Sequence, residues 1–445
     1  MNLGDSIRDG SKWLLFGSLS GRVMQFLFGI VLARLIAPEQ FGFLVTISVF
    51  TGVANFFANG GMGQALIRSK QASKRDYNVV FTIQLLICCC IFLSLYLLAP
   101  SMANFFNNDI YIDLLRVSAL SFLMRPFFNL PSVILQRAMK FKTIAWVNLS
   151  TMVISSILTI ILAWYDFKVW SLVFGGLCNS VLKIIFLLYV TRWLPAFAWH
   201  RETIKQLGGY GLKLSINDIL EYLKPQLTNL MISKLISPAA LGIFNKADSL
   251  AYMPKKVVAG SIYQVLFRAL AKTQDDADTS RYMLFRSITL LTVYLSPAYI
   301  LLWWLAEPFI TLVYGQTWYD VAAPLQIMAL IGLFMFDTAC GAVIAAQDRL
   351  GKEIQINLEC IALLCVGYFY FYPQGLVYLA CVSVVVKGYS NVRLYMLTKS
   401  ILACSWTSLL QALLPAYGLG LALILMLNGL DRLLPTWLIS SPVLY

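Results

Sequence analysis

Ten ionisable residues stand deep inside long apolar stretches, and they are where chemistry would be done. Arg22, Arg125, Lys224, Lys255, Lys256 and Lys387 are basic, and Asp218, Glu221, Asp248 and Asp337 are acidic. A charge at the centre of a membrane-spanning helix costs about 2.5–3.5 kcal/mol on insertion scales, so ten of them facing lipid would oppose insertion by roughly 30 kcal/mol. They must face a wet cavity or one another. Six bases exceed four acids, and surplus cation held in a low-dielectric layer implies an anionic guest. Phosphate fits, because Arg offers its oxygens a planar bidentate fork and Lys a point charge. The acids have two readings. They are candidates for proton or sodium coupling, or they pair with bases to hold helices together, as Glu221 would with Lys224, or Asp248 with Lys255 or Lys256.

The spacing of these residues points to helices. Ser18, Arg22, Gln25 and Gly29 recur at three and four residues and build one polar stripe, and Lys213, Asn217, Glu221 and Lys224 build another. A second group, Arg34, Arg116, Lys183, Lys213, Lys234, Lys246, Arg286 and Glu359, falls within about two turns of expected helix ends, where long side chains reach the headgroup region.

The elements that carry them follow from composition. The chain has 445 residues, 59% hydrophobic and 12% charged, with a mean hydropathy of +0.75. Soluble domains carry about 25% charged residues, so this is an all-α polytopic membrane protein. About 20 apolar residues span a bilayer, which leaves room for about 13 or 14 helices with short connections. Apolar windows place spans at 13–35, 41–66, 79–99, 112–135, 143–164, 168–190, 212–236, 239–267, 283–305, 321–346, 354–372, 374–398 and 407–427. Lys and Arg crowd into alternate connections. Lys70, Lys74, Arg75, Arg137, Lys140, Lys142, Arg192 and Arg201 lie on the side of the N-terminus, whereas the opposite side holds only Arg34, Lys168 and Arg432. The bias expects a cytoplasmic N-terminus. The net charge of +13 thus belongs to loops and the deep bases, and no nucleic-acid partner is expected. The nine cysteines sit in apolar runs and read as small buried hydrophobes, without disulfide or metal.

A repeat appears at an offset of 200 residues. LARLIAPEQFGF at 32–43 aligns with ISKLISPAALGI at 232–243, matching Pro38 with Pro238 and Gly42 with Gly242; further on, Gly60, Gln64, Leu66 and Arg68 match Gly260, Gln264, Leu266 and Arg268. Six helices separate the copies, and an even number preserves orientation. Two pseudo-symmetric six-helix bundles are expected around a central cleft, 1–200 and 201–400, with 401–445 supplying one or two further C-terminal helices. The two polar stripes occupy equivalent places and should face that cleft. No GxxxxGK[ST] occurs, so direct ATP drive and a bound nucleotide cofactor are not expected. The single histidine, His200, lies in a loop, and no connection is long enough to house an enzyme's head domain.

The stretches VLARLIAPEQFGFLVTISVF at 31–50, GMGQALIRSK at 61–70, ILQRAMKFKTIAW at 134–146, LGIFNKADSLAYMP at 241–254 and LVYGQTWYDVAAPLQIMAL at 312–330 resemble the polysaccharide exporters of the multidrug, oligosaccharidyl-lipid and polysaccharide transporter superfamily. The resemblance is strongest to the Wzx-like flippases of the colanic-acid-exporter branch. It implies a bacterial inner-membrane transporter that moves a polyprenyl-diphosphate-linked oligosaccharide between leaflets by alternating access, without cofactor or covalent chemistry. Its partners would be that lipid-linked substrate, membrane lipids, and a polysaccharide polymerase with other assembly proteins. A multidrug or other ion-coupled exporter of the same superfamily is the alternative, and a membrane glycan enzyme a further one.

Overall fold

The computed structural model describes residues 3–59, 63, 66–67, 73–200, 222–223, 225–273, 276–347 and 349–433. Among these there are helices, turns and loops and no strand. Among the described residues nine helices are long and apolar enough to cross a membrane, or ten if one bent pair counts as a single span. The chain divides into two compact units, Met1–Lys234 and Leu235–Tyr445.

In the first unit the helices are α1 (Leu3–Leu35), α2 (Pro38–Asn59), α3 (Lys74–Phe106), α4 (Ile110–Arg137), α5 (Phe141–Trp164) and α6 (Val169–Thr191). A seventh, α7, runs over residues 225–235, with Tyr222 and Leu223 also helical. Turn chemistry sets the boundaries. Ser73 and Asp76 form a reciprocal capping box at the start of α3, which satisfies amide groups that the first turn leaves orphaned. Asn107 ends the same helix in the left-handed region at φ 54°, a conformation asparagine tolerates better than most residues. The core sits between α2, α3, α4 and α6, where Phe43, Ile47, Leu95, Tyr111, Leu114, Leu115, Phe122 and Val173 bury one another.

Helix α7 belongs to this unit by its contacts. The Ser233 and Thr46 hydroxyls share a 2.8 Å hydrogen bond, the Tyr222 hydroxyl donates to the Ser48 carbonyl at 2.8 Å, and Lys234 donates to the Phe105 carbonyl. Tyr222 fits only because residue 52 is glycine: a Cβ there would lie 1.6 Å from the Tyr222 Oη.

The second unit holds α8 (Pro238–Lys272), α9 (Ala277–Trp304), α10 (Ala306–Tyr314), α11 (Ala322–Ala329), α12 (Asp337–Ala346), α13 (Leu350–Phe371), α14 (Leu376–Leu402) and α15 (Trp406–Leu433). Its core gathers Leu284, Ile288, Phe336, Val343, Ile356, Cys360, Tyr395 and Leu413 from α9 and from α12 to α15 with the residue before α12. The 200-residue repeat has a structural counterpart. Both α2 and α8 start at the repeated proline, after a helix that ends two or three residues earlier, because proline is pre-organised for the first helical position and has no amide proton to waste there.

Several expectations need revision. The 321–346 span is not one helix: it breaks over 334–336, and the segments Gln316–Leu333 and Asp337–Ala346 meet at a 50° bend. The short α10 was not anticipated, since nine residues are too few to register as a span. Cys89 and Cys90 are exposed on α3 while Cys88 is buried. Three consecutive residues on a helix point about 100° apart, so they cannot share one face. The expected third span begins too late at 79, five residues after the helix start at Lys74, because hydropathy does not see caps. The final residues 434–445 and most of the expected seventh span lie outside the described residues.

Candidate functional site

Three deep charges of the second unit meet at one point. Asp337 is the first residue of α12, immediately after the break in the tenth span. Lys255, midway along α8, donates to both of its oxygens at 2.7 and 2.6 Å, and Lys387, near the middle of α14, donates to Oδ2 at 2.6 Å. The Thr338 amide also donates to Oδ1, at 2.9 Å. The N-terminal position suits a carboxylate, because the first-turn N–H groups present partial positive charge. Two ammonium groups against one carboxylate leave the cluster with a net charge of +1. It is not sealed: the side chains of Lys255, Asp337 and Lys387 keep 14, 11 and 21% of their surface exposed.

The surroundings extend the field. Asp248, on α8, lies within electrostatic range of Lys256 and Lys387, and Tyr252 and Tyr299 are close to Lys387 and Asp337. Lys256 is exposed beside Lys255, as neighbouring residues on a helix must diverge. Elsewhere in the unit Lys246 sits over the Tyr314 and Trp318 rings at 4.5 and 4.9 Å. Glu359 on α13 accepts from Arg393 and Tyr389 of α14, both at 2.9 Å. Lys246 thus packs on aromatic rings, and Glu359 ties α13 to α14.

In the first unit the deep cations are arranged differently. Arg125 on α4 stands 5.3 Å from the Phe122 ring, and Lys183 on α6 feels the Arg125 charge as repulsion. Arg116 lies over Tyr96 at 4.3 Å. The carboxylates Asp76, Asp109, Asp113 and Asp166 of this unit stand at or near helix ends. One turn from Lys183, the buried Asn179 carbonyl oxygen has no hydrogen-bond partner.

A sequence-family model described as polysaccharide biosynthesis protein matches residues 31–323. The chain belongs to this family. As a polysaccharide biosynthesis protein it is 22% identical over 361 residues to the lipopolysaccharide biosynthesis protein WzxC of Escherichia coli K12, covering 80% of this chain and 73% of the relative. It is 23% identical over 346 residues to the teichuronic acid biosynthesis protein TuaB of Bacillus subtilis 168, covering 77% and 72%. Among solved structures it shares its fold with the lipid II flippase MurJ in an inward closed conformation, with a TM-score of 0.69 at 14% identity over 94% of this chain and 92% of that one. The stretch matched to the family spans both copies of the repeat and ends before Asp337 and Lys387, so these two residues of the polysaccharide biosynthesis protein stand on their geometry alone.

The ten sequence-selected residues are therefore divided. Lys255, Asp337 and Lys387 meet directly, with Asp248 and Lys256 near them; Arg125 lies in the first unit, and Arg22 sits on an exposed stretch of α1 and is engaged in a further interaction. Lys224, Asp218 and Glu221 fall outside the described residues. The Asp248–Lys255 pairing considered from sequence is corrected: Lys255 binds Asp337, because residues seven apart on one helix are two turns, about 10 Å, from each other. Sequence reading grouped Lys183 with residues near helix ends and did not connect it with Arg125, which lies on another helix.

Proposed function

We propose that this polysaccharide biosynthesis protein translocates a polyprenyl-diphosphate-linked oligosaccharide across the bacterial cytoplasmic membrane and changes no covalent bond in it. The observation that carries this reading is the Lys255–Asp337–Lys387 cluster: two cations on one carboxylate, at mid-helix depth and partly open. A net positive site inside the hydrocarbon layer stabilises an anionic headgroup that lipid alone would exclude. Family membership and the MurJ-like fold agree with it. Arg22, Arg125, Lys224 and Lys256 would supply further contacts to diphosphate and sugar, while the prenyl tail stays among lipid chains. The repeated halves are the bodies that would exchange access by rocking. The asymmetry of Lys and Arg supports a cytoplasmic N-terminus, and a polymerase with other assembly proteins would receive the cargo on the far side.

Coupling, where it operates, falls to Asp248 among the described acids. Both oxygens of Asp337 are occupied by ammonium groups, whereas Asp248 has no described hydrogen-bond partner and can exchange a proton or cation. Asp218 and Glu221 remain candidates by sequence.

The test is translocation of a fluorescent lipid-linked oligosaccharide by the purified protein in liposomes, with leaflet exposure read by a membrane-impermeant quencher. Wild type should equilibrate the probe between leaflets, and Lys255→Gln/Lys387→Gln should slow it at least tenfold. Unimpaired transport by that variant would remove the cluster from the headgroup site, and failure of wild type to move the probe would favour a multidrug exporter. Altered covalent structure of the recovered lipid would instead indicate an enzyme.

A further inference from the structure

Deepening the proposed function, and resting on it, we propose that Asp337 is an internal stand-in for the phosphoryl group, seated where Lys255 and Lys387 would hold that group, and displaced when it arrives.

The donors around Asp337 are those a phosphoryl oxygen would recruit. Two ammonium groups from different helices reach it at 2.6–2.7 Å, and a backbone amide adds a third donor at 2.9 Å. Lysine ammonium and first-turn amide groups together are a common setting for phosphate oxygens. A carboxylate occupies the seat now, so the empty transporter does not hold two bare cations side by side in a poorly solvated place.

The carboxylate is also the one member of the cluster mounted on a broken element. Lys255 and Lys387 project from the long, continuous helices α8 and α14, of 35 and 27 residues. Asp337 follows a 3₁₀ turn, Leu330–Leu333, and the non-helical residues 334–336, at the 50° bend. Small dihedral changes at such a break swing the N-terminus of α12 while leaving the lysines in place. An anion adding to an occupied seat would meet the Asp337 charge; an anion replacing it inherits the two lysines. The exchange therefore links headgroup arrival to movement of α12. It also lowers net affinity, since the substrate must compete with a tethered rival, and so favours release on the far side.

The experiment uses the full chain in lipid nanodiscs and farnesyl diphosphate as the probe. Under this proposal Asp337→Asn binds the probe at least tenfold more tightly than wild type, and its lowered melting temperature is restored by the probe but not by an equal charge of chloride. Lys387→Met, which leaves a neutral Lys255–Asp337 pair, keeps its melting temperature and binds at least tenfold more weakly. Equal or weaker binding by Asp337→Asn, with no recovery of its melting temperature, would overturn the proposal. If Asp337→Asn does not fold, undiminished binding by Lys387→Met overturns it and a tenfold loss by a normally melting Lys387→Met upholds it. Failure of wild type to move a lipid-linked oligosaccharide would sink the transport reading instead, and the binding measurements would still decide what occupies the seat.

Discussion

The two units accommodate charge in the membrane by different means. In the second, Lys255 and Lys387 share a carboxylate at hydrogen-bonding distance, and a second acid–base pair, Glu359 with Arg393, repeats the device between α13 and α14. In the first, Arg116 and Arg125 lie against the rings of Tyr96 and Phe122, and Lys183 faces Arg125 with like charge. A carboxylate neutralises a cation fully and fixes its position; an aromatic face offsets only part of the desolvation cost and leaves the charge available. The carboxylate cluster of the second unit thus holds its cations in register, whereas ring packing, used at Arg116 and Arg125 in the first unit and at Lys246 in the second, offsets burial without a counter-charge from the ring.

That contrast is breakable by substitution. The largest effect is expected at Asp337→Ala, which leaves two partly buried ammonium groups without their shared counterion and should cost about 3–5 kcal/mol, read as a fall in melting temperature in detergent without added phosphate. A loss under 1 kcal/mol would mean that the cluster is already hydrated and not a neutralising device. Removing a ring in the first unit should matter less: Tyr96→Leu takes the face from Arg116 and should cost about 0.5–2 kcal/mol by the same assay. Lys183→Met should act in the opposite direction, raising stability by about 1 kcal/mol, because it removes a cation that burial keeps from water and that Arg125 further repels. A melting temperature that falls instead would show that Lys183 has an anionic neighbour in the folded state and would erase the difference between the units.

The smallest effect serves as a control away from the apolar layer. Asp276 caps α9 through its side chain, accepting from the Asp278 and Thr279 amides and the Thr279 hydroxyl, and these bonds hold its carboxyl below the ordinary aspartate value. A depressed folded-state value stabilises above the unfolded value and is lost as pH falls through the folded one. Asp276→Ala should therefore lower the melting temperature slightly at neutral pH, and the difference from wild type should vanish in strong acid.

How far the sequence could be read depended on the range of the interaction. Apolar runs set the helices, because in hydrocarbon each spanning backbone must satisfy its own hydrogen bonds. The expected spans over the described residues fall mainly on helix, the broken 321–346 segment excepted, and the repeated Pro38 and Pro238 turn out to open two helices. Of the candidate site, the sequence singled out Lys255, Asp337 and Lys387 as individually costly, a local property of residue type and depth. It did not reveal that they are one site.

That step belongs to tertiary structure. Asp337 is 82 positions from Lys255 and 50 from Lys387, on three different helices, and periodicity within a helix carries no information about which face of another it will meet. The break before Asp337 was hidden for the same reason. Residues 321–346 are apolar enough for one continuous span, and only packing around Phe336 and Met335, both nearly fully buried, turns the chain there. Cost per charge was written in the sequence; which charges cancel, and which element can move away from the rest, was decided by how the helices pack.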